Sequence, residues 1–212
     1  MVNLFQNISE KNKQKILRSL ESHTFSFAKG VNILPTLYGN DIICFIESGS
    51  IQIANVDYNG NKNIVDELFE EEVFGSNISY IMNENYQVLT KEPSVITVIE
   101  YDRVVDSENV KYDYYITFLK NLLKIVNEKT LERNERIEIL SKKTIRDKLL
   151  EYFRISSKRV GSSTIYLPFS FTDLASYLGV DRSAMSREIK YLKEEGFITV
   201  NGRRIKLNIY VK

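Results

Sequence analysis

The stretch that decides the fold runs from residue 170 to residue 207: SFTDLASYLGV (170–180), DRSAMSREIKYLKEEG (181–196) and FITVNGRRIKL (197–207). The spacing predicts two short amphipathic helices joined by a tight turn at Gly179-Val180, then a β-hairpin with Asn201-Gly202 at its tip. Ser170 can cap the first helix, with Asp173 three residues on answering the backbone as in a capping box, and Asp181 can cap the second. Leu174, Ala175 and Leu178 make an inward stripe on the first helix; Met185, Ile189 and Leu192 make one on the second. The second helix is left with Arg182, Ser183, Ser186, Arg187 and Lys190 facing outward. A helix that buries its apolar stripe and shows two arginines near its N-terminus is suited to a major groove. A helical hairpin with a solvated basic face is the competing reading. Cap, turn, stripe and wing agree on the first.

Working outward, the charge is divided along the chain. The whole carries 29 Lys and Arg against 28 Asp and Glu, which says nothing about partners. Residues 1–140 hold 14 basic and 21 acidic residues, a net charge of −7, and residues 141–212 hold 15 and 7, a net charge of +8. Basic charge is therefore concentrated where the two helices lie, as phosphate neutralisation requires. At 212 residues and 43% hydrophobic content the chain can bury a substantial core and is expected to form two domains. No apolar run reaches the length of a signal peptide or a membrane span, so a cytoplasmic protein without a membrane partner is expected. The single cysteine, Cys44, excludes an internal disulfide framework.

Residues 9–22 read as a short helix. From Thr24 to about Arg103 the pattern changes to short alternating runs (TFSFAKG, DIICFIESG, SIQIANV, NIVDELF, QVLTKE, SVITVIEY) separated by turn residues such as Gly30, Gly39 and Gly49. Many short strands at close spacing indicate an antiparallel sandwich or small barrel, with Asn59-Gly60 as a hairpin turn. From about Lys111 to Leu140 neither Gly nor Pro occurs, and apolar residues recur at helical spacing: Tyr112, Tyr115, Ile116, Leu119, Leu122, Leu123 and Val126, then more sparsely. This predicts a helix of about eight turns, roughly 45 Å long, whose stripe forms a dimer seam. The competing reading is a helix that packs only on its own β-domain. Ser141 ends this helix or caps the next, TIRDKLLEYF (144–153).

Helix, β-barrel, long helix and winged helix-turn-helix, in that order and over nearly the whole chain, resemble the Crp/Fnr family of bacterial transcription regulators. FAKGVNIL, IESGSIQI, DYNGNKNIV and EEEVFGS look like successive pieces of that family's barrel, and LGVDRSAMSREIKYLKEEGFI is very similar to its recognition segment. The resemblance implies an α+β fold: an N-terminal antiparallel β-barrel of jelly-roll (double-stranded β-helix) type at 1–109, a dimerisation helix at 110–140 and a winged helix-turn-helix at 141–212. It implies a homodimer on inverted-repeat double-stranded DNA, with RNA polymerase as a further partner if the protein activates. Arg182 and Arg187 match base-reading positions, and guanidinium groups suit guanine O6 and N7. Ser183 stands where many members have Glu, which predicts a less stringent base preference there; Ser186 completes the reading face. Ser170, Lys190, Arg203 and Arg204 are phosphate-contact candidates.

The effector site is where the chain departs from the family's cyclic-nucleotide binders, which place a Glu after the Phe-Gly pair and an Arg about ten residues on. Here Phe74-Gly75 is followed by Ser76, and neither Lys nor Arg occurs from Asn63 to Thr90. A buried phosphate among acidic neighbours with no cation is unfavourable, so cAMP is not expected. One cysteine and one histidine, His23, supply neither an iron–sulfur cluster nor an ordinary haem site, and no metal site is expected. A small organic effector is left, with Phe74, Gly75, Ser76, Tyr80 and Tyr86 as its candidate pocket, or a partner protein, or no effector at all. Control would then act on the placement of the DNA-binding heads about a hinge near Ile139–Lys143. An enzyme is the rival from another class, and it finds no histidine cluster, nucleophilic set or phosphate-cradling loop here. The alternative to DNA reading is a module whose helix-turn-helix docks a protein.

Overall fold

The apolar run IICFIES organises the N-terminal half. In the computed structural model, which describes residues 3–37, 41–56, 58, 62–76, 86–105, 108–168 and 170–208, the chain divides into two compact units, Met1–Thr130 and Leu131–Lys212. The first contains helix α1 (Glu10–Ser19), strands β1 (His23–Phe27), β2 (Ile42–Ser48), β3 (Ser50–Val56), β4 (Lys62–Phe69), β5 (Val73–Gly75), β6 (Tyr86–Thr90) and β7 (Ser94–Glu100), the short helix α2 (Tyr101–Val105), and most of the long helix α3 (Asp113–Leu140). Two antiparallel sheets form, ordered β1-β7-β2-β5 and β4-β3-β6. β2 is buried on both faces, which is why it reads as an unbroken apolar run. Its Ile42, Cys44 and Ile46 enter a core between the sheets, together with Ile51, Ile53, Leu68, Phe74, Val88 and Ile96. Its Ile43 and Phe45 face the other way, into a second core built with α1 and α3.

That second core corrects part of the predicted dimer seam. Tyr115, Phe118, Leu122 and Ile125 of α3 pack with Leu4, Phe5, Ile16, Leu17 and Leu20 against the outer face of the four-stranded sheet. Tyr115 is wholly buried, with its hydroxyl donating to the Val104 carbonyl at 3.2 Å, and Leu122 is 7% exposed. Neither can belong to a seam, because side chains that already fill a core have no surface to give. Asn121, also buried, donates to the carbonyls of Leu4 (3.1 Å) and Gln6 (2.9 Å), tying the N-terminal segment to the helix.

Other expectations need adjustment. Among the described residues the two sheets remain separate ladders, so the expected barrel is a two-sheet sandwich: β1, β5 and β4 are edges with one ladder partner each, while the outer side of β6 is bonded by the segment after β1, Gly30 N to Thr90 O (2.8 Å), Thr90 N to Val31 O (3.1 Å) and Ile33 N to Val88 O (2.8 Å). The chain changes sheet at Gly49, where φ is 89° and a Cβ would lie 2.4 Å from Ser94 Oγ. β5 was not predicted as a strand, because VFG is too short to show a period. Asn59-Gly60 and Tyr80 lie outside the described residues.

The second unit begins inside α3, at Leu131. It adds α4 (Ile145–Val160), β8 (Thr164–Tyr166), α5 (Phe171–Leu178), α6 (Arg182–Glu194), β9 (Ile198–Asn201) and β10 (Arg204–Leu207), with the strands ordered β8-β10-β9. Leu149, Phe153, Leu174, Leu178, Met185, Leu192, Ile198 and Ile205 are the centre of its core. Ile139 is part of the same core, Arg154 pairs with Glu138 at 3.5 Å, and Arg159 pairs with Glu135. The last turns of α3 are thus packed into this unit, and a hinge at Ile139–Lys143 would have to break that packing. Ser141 closes α3, its hydroxyl donating to Glu138 O at 2.8 Å; Thr144 caps α4, accepting from Asp147 N at 3.0 Å. α4 runs seven residues beyond the predicted Phe153 and stops at Gly161, whose φ of 63° supplies the left-handed turn.

Candidate nucleic-acid interface

Local chemistry places α5 and α6. Asp173 N donates to Ser170 Oγ at 3.2 Å while Ser170 N donates to Asp173 Oδ2 at 3.2 Å, the predicted capping box. α5 ends at Gly179 (φ 60°), where Val180 N donates back to Ala175 O at 3.0 Å. Asp181 opens α6 by accepting from Ala184 N at 2.8 Å and from the Ser183 hydroxyl at 2.7 Å. These bonds, with the charge of Arg187, hold the Asp181 carboxyl below its usual range. Each cap satisfies amides of the first turn that would otherwise lack a partner and sets the direction in which its helix leaves the turn.

With Met185, Ile189 and Leu192 buried, α6 leaves Arg182, Ser183, Ser186, Arg187 and Lys190 exposed on its outer side. These are the residues predicted to read DNA, brought onto one face. The inner side carries an arrangement that sequence reasoning missed. Arg146 of α4 donates from Nε to Glu188 (2.5 Å) and through both terminal nitrogens to Glu195 (2.8 and 2.6 Å). The fork anchors α6 to α4 and neutralises two carboxylates of the recognition segment, so that its outer face stays cationic. No pattern marks a pairing across 42 and 49 residues. Lys148 also donates to the Leu178 carbonyl at 3.2 Å, satisfying the C-terminal end of α5.

The phosphate-contact candidates fare unequally. The Ser170 proton is already given to Asp173 Oδ2 at 2.6 Å, and that carboxylate beside it would repel a phosphate. Lys190 is exposed with Glu194 at 3.7 Å, a surface pair worth ~0–1 kcal/mol that a phosphate can displace. In the wing, Asn201 still pairs with Arg204, so the tip is Gly202-Arg203, one residue later than predicted. Gly202 takes φ 57°, and Arg203 stands exposed at the turn. Arg204 lies over the Tyr166 ring at 5.9 Å, braced by a cation–π contact.

A family model described as a Crp-like helix-turn-helix domain matches residues 145–209. The C-terminal unit is Crp-like, and the chain has the Crp/Fnr fold. Among solved structures, CprK complexed with OCPA shares 18% identity at a TM-score of 0.63, covering 92% of each chain. A CooA variant from Carboxydothermus hydrogenoformans shares 15% at 0.60, covering 97% of this chain and 95% of that one. The c-di-GMP responsive global regulator CLP of Xanthomonas campestris shares 16% at 0.53, covering 92% and 98%. No match is found among curated protein sequences.

Within this Crp/Fnr fold the candidate effector residues are engaged structurally. Phe74 is buried between the sheets, and Gly75 pairs with Ile43 so closely that a Cβ would meet Ile42 O at 2.1 Å. Ser76 Oγ accepts from Ile42 N at 2.7 Å and donates to Ile42 O at 3.3 Å. Tyr86 packs half-buried against the same core. Cys44 is buried and its thiol is pushed far up by desolvation. His23 sits exposed at the start of β1, and no group of three or more potential metal ligands occurs among the described residues. No helix among them is long and apolar enough to cross a membrane.

Proposed function

We propose that this chain is a sequence-specific DNA-binding transcription regulator, not an enzyme, and acts as a homodimer on an inverted repeat. The observation that carries the reading is α6, whose apolar face is buried and whose outer face presents Arg182, Ser183, Ser186, Arg187 and Lys190. In this reading Arg182 and Arg187 contact base edges, and Lys190, Arg203 and Arg204 contact phosphate. The dimer seam is formed by the apolar side chains along α3 that keep exposed surface: Tyr112 just before the helix, Leu123 and Val126 exposed, with Ile116 and Leu119 half-buried, Leu119 resting in part on the second core. Their steps of four and three residues match the seam of a two-stranded coil. Such a regulator needs no cofactor and works in the cytoplasm, with RNA polymerase as a partner if it activates.

Control by a cyclic nucleotide is not part of the proposal. Ser76 spends its hydroxyl on Ile42, and residues 63–90 contain no cation to receive a phosphate. An effector of another class acting on the first unit, or none, completes the reading. The test is selection from random duplex DNA on the purified protein at two salt concentrations. Enrichment of an inverted repeat with half-sites one or two helical turns apart supports the function. Failure to bind duplex at low salt refutes it in favour of protein docking.

A further inference from the structure

Given the DNA-reading function proposed above, on which this inference rests, the first turn of α6 holds an asymmetry that bears on which base is read. A serine hydroxyl has one proton and two lone pairs. Ser183 gives its proton to Asp181 Oδ1 at 2.7 Å, and the same oxygen accepts from Ala184 N at 2.8 Å. The Asp181 carboxyl is ionised at neutral pH, since the bonds it receives and the charge of Arg187 favour the carboxylate, so it has no proton to return. Ser183 is exposed, and what it can offer a partner is therefore lone pairs alone.

The major-groove edges divide along that line. Adenine N6 and cytosine N4 are amino donors, whereas guanine O6 and N7 and thymine O4 are acceptors. A freely rotating hydroxyl would meet either kind. One whose proton is committed accepts from an amino group and meets a keto oxygen with lone pair against lone pair. We propose that Ser183 is a specificity-determining residue that selects an amino-bearing base, adenine or cytosine, over a keto base on the strand it faces, and that Asp181 is the positioning residue that fixes this polarity. The position is thus two-fold degenerate: looser than a glutamate would make it, yet not indifferent.

Selection from random duplex with the full-length chain, its Ser183→Ala variant and its Asp181→Ser variant tests this. Serine at 181 keeps an N-cap while removing the carboxylate, and thermal melting verifies that each variant is folded. The wild type is expected to enrich A or C roughly fivefold over G or T at one position per half-site, the scale of one neutral hydrogen bond. Both variants should lose that preference while the positions read by Arg182 and Arg187 keep theirs. A keto preference at the position altered by Ser183→Ala overturns the inference, as does an amino preference that survives in either variant or no change at any position. These outcomes leave an enriched inverted repeat in place. Failure of the DNA-reading function itself is distinct, because no motif would then be enriched by any of the three proteins.

Discussion

Arg187 and Arg203 differ in what their loss should do, although both are exposed arginines in one domain. Arg187→Ala should cost about 1–3 kcal/mol at one base pair and relax selection there, because a guanidinium on guanine is a directional pair. Arg203→Ala should weaken binding to all sequences alike and lower the slope of log affinity against log salt by about one, measured by titration at several salt concentrations. Specificity that falls equally in both would contradict the assignment. Cys44 offers a second check. Buried in β2 with its thiolate disfavoured, it should react with a thiol reagent only after denaturation, and labelling of the folded protein would contradict that burial. Asp181 adds a pH dependence. Its carboxyl is depressed in the folded state, so the stabilisation it brings is complete above its unfolded value, near 4, and is lost as pH falls through the lower folded value. The acid limb of a melting-temperature profile should therefore flatten in Asp181→Ser relative to wild type.

At the scale of the element, α3 divides one apolar stripe between an observed core and a proposed seam. Its apolar residues are too many for one face, and the helix divides them. Tyr115, Phe118, Leu122 and Ile125 go to the sheet, while Leu123, 70% exposed, and Val126, 38% exposed, keep surface beside that face. Leu123→Glu should therefore leave the melting temperature within a few degrees and convert dimer to monomer in analytical ultracentrifugation. Leu122→Glu buries a charge and should fail to fold. If Leu123→Glu remains a dimer, the seam lies elsewhere. The helical period alone could mark this stripe but not assign its sides, since adjacent residues 122 and 123 differ only in what the sheet presents to them.

At the scale of the whole molecule, two units of opposite charge balance share one helix, and the basic one carries the exposed arginine face of α6. Much of this was legible in the chain. Capping boxes, left-handed glycines, short strands and the 3.6-residue stripe of α6 are local signals, written within four or five residues, and the structure reproduces them at Ser170–Asp173, Gly179 and Met185–Ile189–Leu192. Even the charge partition followed from counting. The folded arrangement alone revealed the relations between distant residues: Arg146 reaching Glu188 and Glu195, Ile139 joining the second core, Tyr115 and Leu122 covered by the sheet, and the segment after β1 bonding along β6. The reason is the range of the forces. Backbone capping and periodicity act over one or two turns and leave a trace at fixed spacing. Ion pairing and core packing act between surfaces that meet only once the chain has folded, so no spacing in the sequence records them.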